Sequence, residues 1–125
     1  MSSPTEKKTV KRTVAFRHWH EALKDQVTRA IIAARIERLQ MGLYGDAKPV
    51  GDGVSELRID HGPGFRVYFT ETLDRCIILL LVGGDKATQK RDINHAKTML
   101  AALKQDRDAS LQTEARVSPM QRSKP

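Results

Sequence analysis

Two arginines, Arg58 and Arg66, flank a Gly-Pro-Gly turn in the stretch SELRIDHGPGFRVYF, Ser55 to Phe69. With Gly62 at the centre of a hairpin, Arg58 faces Arg66 and Glu56 faces Tyr68. All four then point away from Leu57, Ile59, Val67 and Phe69, the apolar side of the same two strands. Like charges directly opposite one another repel unless an anion lies between them. A phosphate would serve, because a guanidinium stays charged at cellular pH and can give two parallel hydrogen bonds to phosphate oxygens. A local carboxylate, Glu56 or Asp60, would serve as well, and the pattern leaves both open.

Other groups are weighed against this pair. Lys86 follows Gly83-Gly84-Asp85 where the chain leaves a strand for a helix, a place where an anion can meet first-turn amides. The GxxxxGK[ST] spacing of a nucleotide-binding loop is absent. Histidines at 18, 20, 61 and 95 form no HExxH or Cys/His pattern, so neither a metal nor another cofactor is expected. His61, in the turn beside the arginines, is the histidine placed for acid/base work, although turn histidines commonly only cap or solvate. The lone Cys76 opens the most apolar run and reads as a buried thiol in a reducing cytoplasm, so acyl chemistry on it is disfavoured.

The elements that must carry these residues follow from periodicity. Thr9 to Phe16 alternates as a strand with Val10 and Val14 inward, and Phe16, Trp19 and Leu23 then mark one face of a short helix. A second helix starts near Asp25 and ends at Gly42. Val27, Ala30, Ile31 and Ala34 form its stripe, Ile32, Ile36 and Leu39 broaden it, and Arg29, Arg35 and Arg38 are left for solvent. Gly42 to Gly53, with its glycines and proline, reads as a loop. Strands are expected at Val54 to Asp60, Phe65 to Thr70 and Arg75 to Val82, the third apolar on both faces as a covered central strand would be. Helical spacing returns through Ala87, Ile93, Ala96, Met99, Leu100 and Leu103. The order β-α-α-β-β-β-α predicts one α+β domain over 9–104, with the two early helices on one sheet face and the last packed back on the sheet. Residues 1–8 and the basic tail 105–125 are expected to be mobile.

The chain has 125 residues, enough to bury a core unaided, and 22 Lys and Arg against 15 Asp and Glu give a net charge of +7. That balance favours a polyanionic partner, with nucleic acid ahead of a membrane, though a basic and inert surface gives the same total. The run from Cys76 to Val82 is far too short to span a bilayer, and the N-terminus has no apolar signal region.

Taken together, GDAKPVGDGVSELRI, GPGFRVYF, IILLLVGGDK and TQKRDINHA, after a strand-helix-helix start, resemble toxins of the RelE/ParE superfamily, nearest its HigB-like addiction module killer branch. The resemblance spans Thr9 to Lys104. It implies a curved, mostly antiparallel sheet on an N-terminal helical pair, and a cognate antitoxin as partner, in the HigB-like branch often of helix-turn-helix type. In the RelE and HigB branches the implied activity is cleavage of mRNA on the ribosome; in the ParE branch it is inhibition of DNA gyrase.

The resemblance carries over the arginine on the scissile phosphate to Arg66, a basic residue on the preceding strand to Arg58, and the basic residue after the last strand, more loosely, to Lys86. Lys48 and Lys90 complete the cations expected to touch RNA. Metal-free cleavage needs the 2′-hydroxyl oriented, the pentacoordinate phosphate neutralised and the 5′-oxygen protonated. The chain departs from the family in one respect. The C-terminal tyrosine or histidine and acid of the ribonucleases are replaced by Gln89, Asp92 and His95, so Tyr68 or His61 would have to move the protons. A gyrase inhibitor and a non-catalytic RNA-binding or regulatory protein are the alternatives.

Overall fold

The computed structural model describes residues 7–72 and 77–123, with side chains through residue 106. Strand β1 (Thr9–Arg12) leads into α1 (Val14–Ala22) and α2 (Gln26–Gln40); β2 (Ala47–Gly51), β3 (Val54–Ile59), β4 (Phe65–Thr72) and β5 (Ile77–Asp85) follow. A 3₁₀ turn (Lys86–Thr88) then opens α3 (Gln89–Ser123). The sheet has the order β1-β5-β4-β3-β2, antiparallel except for β1, which lies parallel to β5. The chain is therefore α+β, with a mostly antiparallel five-stranded sheet.

Side-chain alternation divides the protein into two cores. On one face Phe16 of α1 and Ile32, Ile36 and Leu39 of α2 pack on Leu57, Ile59, Val67, Phe69, Ile78 and Leu80. On the other, Ala96 and Leu100 of α3 pack on Val54, Tyr68, Leu81 and Val82. A register shift at Tyr68/Phe69 pairs them with Val82 and Leu80, leaving Leu81 as the extra residue of a bulge. Strand β5 is apolar on both faces because helices cover both, α1 and α2 on one and α3 on the other.

The ends of the first helices are set locally. Thr13 caps α1 through its hydroxyl, which accepts from the Phe16 amide at 3.0 Å, and Asp25 caps α2. Val14 is thus a helix-start residue, 59% exposed, and not an inward strand residue. In α2 the buried stripe is Thr28, Ile32, Ile36 and Leu39, while Val27 is 61% exposed. Apolar residues lie all round α2, so periodicity could not choose between its two stripes.

Arg35, expected on the solvent side, is half-buried and donates to the Arg58 and Tyr44 carbonyls at 2.8 and 3.3 Å. Burial pushes its pKa down from the usual arginine value, with Arg38 adding to the effect. The expected loop from Gly42 to Gly53 contains β2, an edge strand that tolerates Pro49 because edge positions need no ladder donor. Lys8, placed by sequence in a mobile end, is anchored by its amide on the Gln40 carbonyl at 2.8 Å and its ammonium on Glu71 at 2.6 Å. From residue 105 to Ser123, where a disordered tail is expected, the backbone is helical as part of α3. Three Gln, three Arg and two Ala, all good helix formers, fall there. Residues 1–6 and Cys76 lie outside the described residues.

Candidate functional site

The β3-β4 hairpin has the register read from its turn: Arg58 pairs with Arg66 and Glu56 with Tyr68. Gly62 and Gly64 take φ of 55° and 83°, conformations that a side chain would strain. Arg66 also pairs with Gly84 of β5, and the Arg58 amide donates to the Asp46 carbonyl at 2.8 Å. Two residues past Gly84, Lys86 packs its Cβ against Gly64, so three cations from three strand ends meet. Arg58, Arg66 and Lys86, with Asp46, Asp60 and the Gly62-Pro63-Gly64 turn, line an open groove of about 490 Å³.

Behind the groove lies Glu56, fully buried. Its Oε1 accepts from Arg58 Nε at 3.1 Å; its Oε2 accepts from the Tyr68 hydroxyl at 3.1 Å and from Gln89 Nε2 at 2.7 Å. Burial pushes this carboxyl's pKa up, but the bonds from Gln89, Arg58 and Tyr68 outweigh it and hold the group below the usual glutamate value. Tyr68 is fully buried as well. Burial first, and then the Glu56 charge, push its phenol well above the ordinary tyrosine range, so it acts as a neutral donor.

The arginines share this carboxylate unequally. Arg66 Nε stands 3.9 Å from Glu56 Oε2 and makes no hydrogen bond to it. Among the described residues it is the one buried side-chain nitrogen or oxygen without a partner. Such a donor ordinarily costs about 1–3 kcal/mol. The question posed by the hairpin therefore divides: Arg58 is hydrogen-bonded to Glu56, whereas Arg66 meets the same carboxylate only as a long ion pair, its Nε unbonded.

The start of α3 fixes Gln89 over Glu56. Asp85 caps the 3₁₀ turn by accepting from the Ala87 and Thr88 amides at 2.9 and 3.2 Å, and Thr88 donates to the buried Asp92 at 2.5 Å. Gly83 and Gly84 permit close approach on opposite sheet faces. A Cβ at Gly83 would lie 2.2 Å from the Trp19 ring, and one at Gly84 would lie 1.8 Å from Asp92 Oδ2. Only glycine lets α1 and α3 settle this closely on β5.

Of the residues read from sequence, Arg58, Arg66 and Lys86 are brought together. Tyr68 shares their sheet face but is buried, its hydroxyl committed to Glu56. His61 turns to the opposite face, where its Nε2 lies 3.1 Å from the Thr28 hydroxyl and its ring stacks on Phe65. Lys48, opposite Glu56 in the β2-β3 register, and Lys90, in the first turn of α3, are exposed and outside the groove lining. Sequence reasoning named Glu56 as one carboxylate that could lie beside the arginines, as it does beside Arg58, but missed its full burial and its bond from Gln89. The available signal was the Glu56/Tyr68 pairing, which puts a carboxylate two residues from each arginine's row. Among the described residues no three His, Cys, Asp or Glu side chains gather as metal ligands would, and no helix is long and apolar enough to cross a membrane.

The chain has relatives in sequence and in fold. An uncharacterized protein of Haemophilus influenzae (strain Rd) is 47% identical over 94 residues, 75% of this chain and 94% of that one. The RelBE2 toxin-antitoxin complex of Mycobacterium tuberculosis contains a chain that superposes with a TM-score of 0.53 at 17% identity, covering 65% of this chain and all of that one (100%). Escherichia coli toxin RelE, in the free state and with two arginines replaced by alanine, superposes with a TM-score of 0.55 at 11% identity, over 67% and 90% of the two chains. At those identities the likeness establishes a shared fold, the RelE fold. Residues 16–104 match the family described as phage derived protein Gp49-like (DUF891), and the chain belongs to that family.

Proposed function

We propose that this protein is the toxin of a toxin-antitoxin pair and that it cuts mRNA on the ribosome without a metal. The observation that carries the reading is Arg66, a half-buried arginine whose buried Nε has no hydrogen-bond partner at the edge of a cationic groove. Folding does not leave such a donor unused without cost, and a phosphate oxygen fits it. The RelE fold of a known toxin and of a toxin-antitoxin complex supports the same reading.

In the proposed reaction the 2′-hydroxyl attacks the adjacent phosphorus, the bond to the 5′-oxygen breaks, and a cyclic phosphate and a 5′-hydroxyl result. Arg66 and Arg58 hold the equatorial oxygens as negative charge grows on them. Lys86 lines the groove and donates to the leaving 5′-oxygen, and the carboxylates at hand to accept the 2′-hydroxyl proton are Asp46 and Asp60. Tyr68 holds Glu56, and His61 lies on the wrong face for either transfer. The partner is an antitoxin, of helix-turn-helix type if the HigB-like likeness extends to it, and the site of action is cytoplasmic.

A second reading, inhibition of DNA gyrase, is favoured by one observation: neither a histidine nor a tyrosine lines the groove. Induced expression with genome-wide mapping of RNA 5′ ends, with and without translation blocked, separates the two. New 5′ ends inside codons that vanish when translation stops are expected. Intact transcripts with DNA damage would replace this reading with the second.

A further inference from the structure

Glu56 and Arg66 form a long ion pair at 3.9 Å, and the absence of a hydrogen bond within it has a visible cause. Glu56 Oε2, the oxygen nearer Arg66, already accepts from Tyr68 and from Gln89, the latter at 2.7 Å. Gln89 projects from the first turn of α3, which is pinned by the Asp85 cap and by Thr88 on Asp92. Its amide therefore holds the carboxylate from a rigid element, without itself lining the groove. Arg66 Nε is left at 3.9 Å with nothing to donate to.

Resting on the phosphate-binding reading of Arg66, we infer that Gln89 is a positioning residue that restrains Glu56 and so keeps Arg66 free for an anion. Without the Gln89 amide, Oε2 loses a donor and a buried carboxylate must replace it. The nearest unused donor is Arg66 Nε, a small side-chain rotation away. The long ion pair would then tighten into a charge-assisted hydrogen bond and compete directly with phosphate for the same guanidinium. Gln89 reaches no groove atom, so its effect is entirely through Glu56.

The test follows the Arg66 Nε–H resonance in protein with nitrogen-labelled arginine while inorganic phosphate is added. The parent shifts on titration. Gln89→Leu keeps its melting temperature near that of the parent but binds phosphate about tenfold more weakly, the size of one charge-assisted hydrogen bond. Glu56→Gln added to Gln89→Leu restores affinity to within about twofold of the parent, because the competing charge is gone. If Gln89→Leu melts early, Gln89→Met, which also lacks the amide, takes its place. A Gln89 variant that binds as well as the parent overturns the inference while leaving the phosphate site intact. So does a double variant that fails to recover, since a merely structural role predicts further loss. An Arg66 resonance indifferent to phosphate in the parent instead overturns the reading on which the inference rests.

Discussion

The two faces of the sheet are built on different principles. Under α1 and α2 the buried residues, Thr28 apart, are aliphatic and aromatic, from Phe16 and Leu39 to Leu57 and Phe69, with no buried charge among them. Under α3 the core mixes Val54, Val82 and Leu100 with a fully buried Glu56, a buried Asp92 and a tyrosine whose hydroxyl is engaged. The first face supplies stability through apolar area; the second holds charged groups in fixed positions at some cost to stability. The contrast teaches that one sheet can separate folding from chemistry by alternation alone, because neighbouring residues on one strand serve opposite faces.

Truncation on the apolar face should have the largest effect on stability. Phe16→Ala is expected to cost about 3–5 kcal/mol in denaturant melts, with the arginine groove unchanged in whatever fraction stays folded. A loss no larger than that of the polar-face variants below would erase the contrast. Next comes Gly84→Ala, whose Cβ collides with Asp92 and must push α3 off the sheet; about 1–3 kcal/mol is expected, accompanied by loss of phosphate binding. Binding that survives a displaced α3 would show that the first turn of this helix does not shape the groove.

Smaller still, Tyr68→Phe should cost about 1–2 kcal/mol, because Glu56 keeps donors from Arg58 and Gln89. The dependence on pH has a definite sign. Glu56 is held below the ordinary glutamate value of 4.5 in the native state, so an unfolded chain takes up its proton first as pH falls. Its stabilising contribution is complete above the ordinary range and is lost as pH drops through the lowered native value. Glu71 behaves likewise: burial opposes, and bonds from Lys8 and Tyr44 prevail. Melts of Glu56→Gln should therefore show a shallower acid limb than the parent, with the Glu71 part remaining. An unchanged limb would mean that Glu56 is not an ionised part of the native core. At the small end, Val27→Ser on the exposed side of α2 should stay within about 0.5 kcal/mol of the parent.

Much of the apolar face was legible, because its signal is local and periodic. The hairpin register followed from one turn, and Asp25 and Gly42 marked boundaries that the fold keeps, whereas β5 runs on through Gly83 and Gly84 to Asp85, past the expected end at Val82. Where α2 is apolar all round, only the tertiary neighbours decide that Ile32 goes in and Val27 stays out. The edge strand β2 was hidden by its glycines and proline, which suit an edge as well as a loop. The polar face was legible only in part. Arg58, Arg66 and Lys86 were placed together, whereas Glu56 and Tyr68 alternate with core residues and so read as solvent-facing until α3 covers them. Gln89 acts across 33 residues of sequence, and no local period encodes such a bond.

The most direct test of the central claim compares the parent with Arg66→Ala, matched for melting temperature, in cleavage of mRNA on translating ribosomes. Arg66 as the ligand of the scissile phosphate predicts a loss of roughly 3 kcal/mol in the chemical step, on the order of a hundredfold in rate. Cleavage by Arg66→Ala at the parental rate would contradict it.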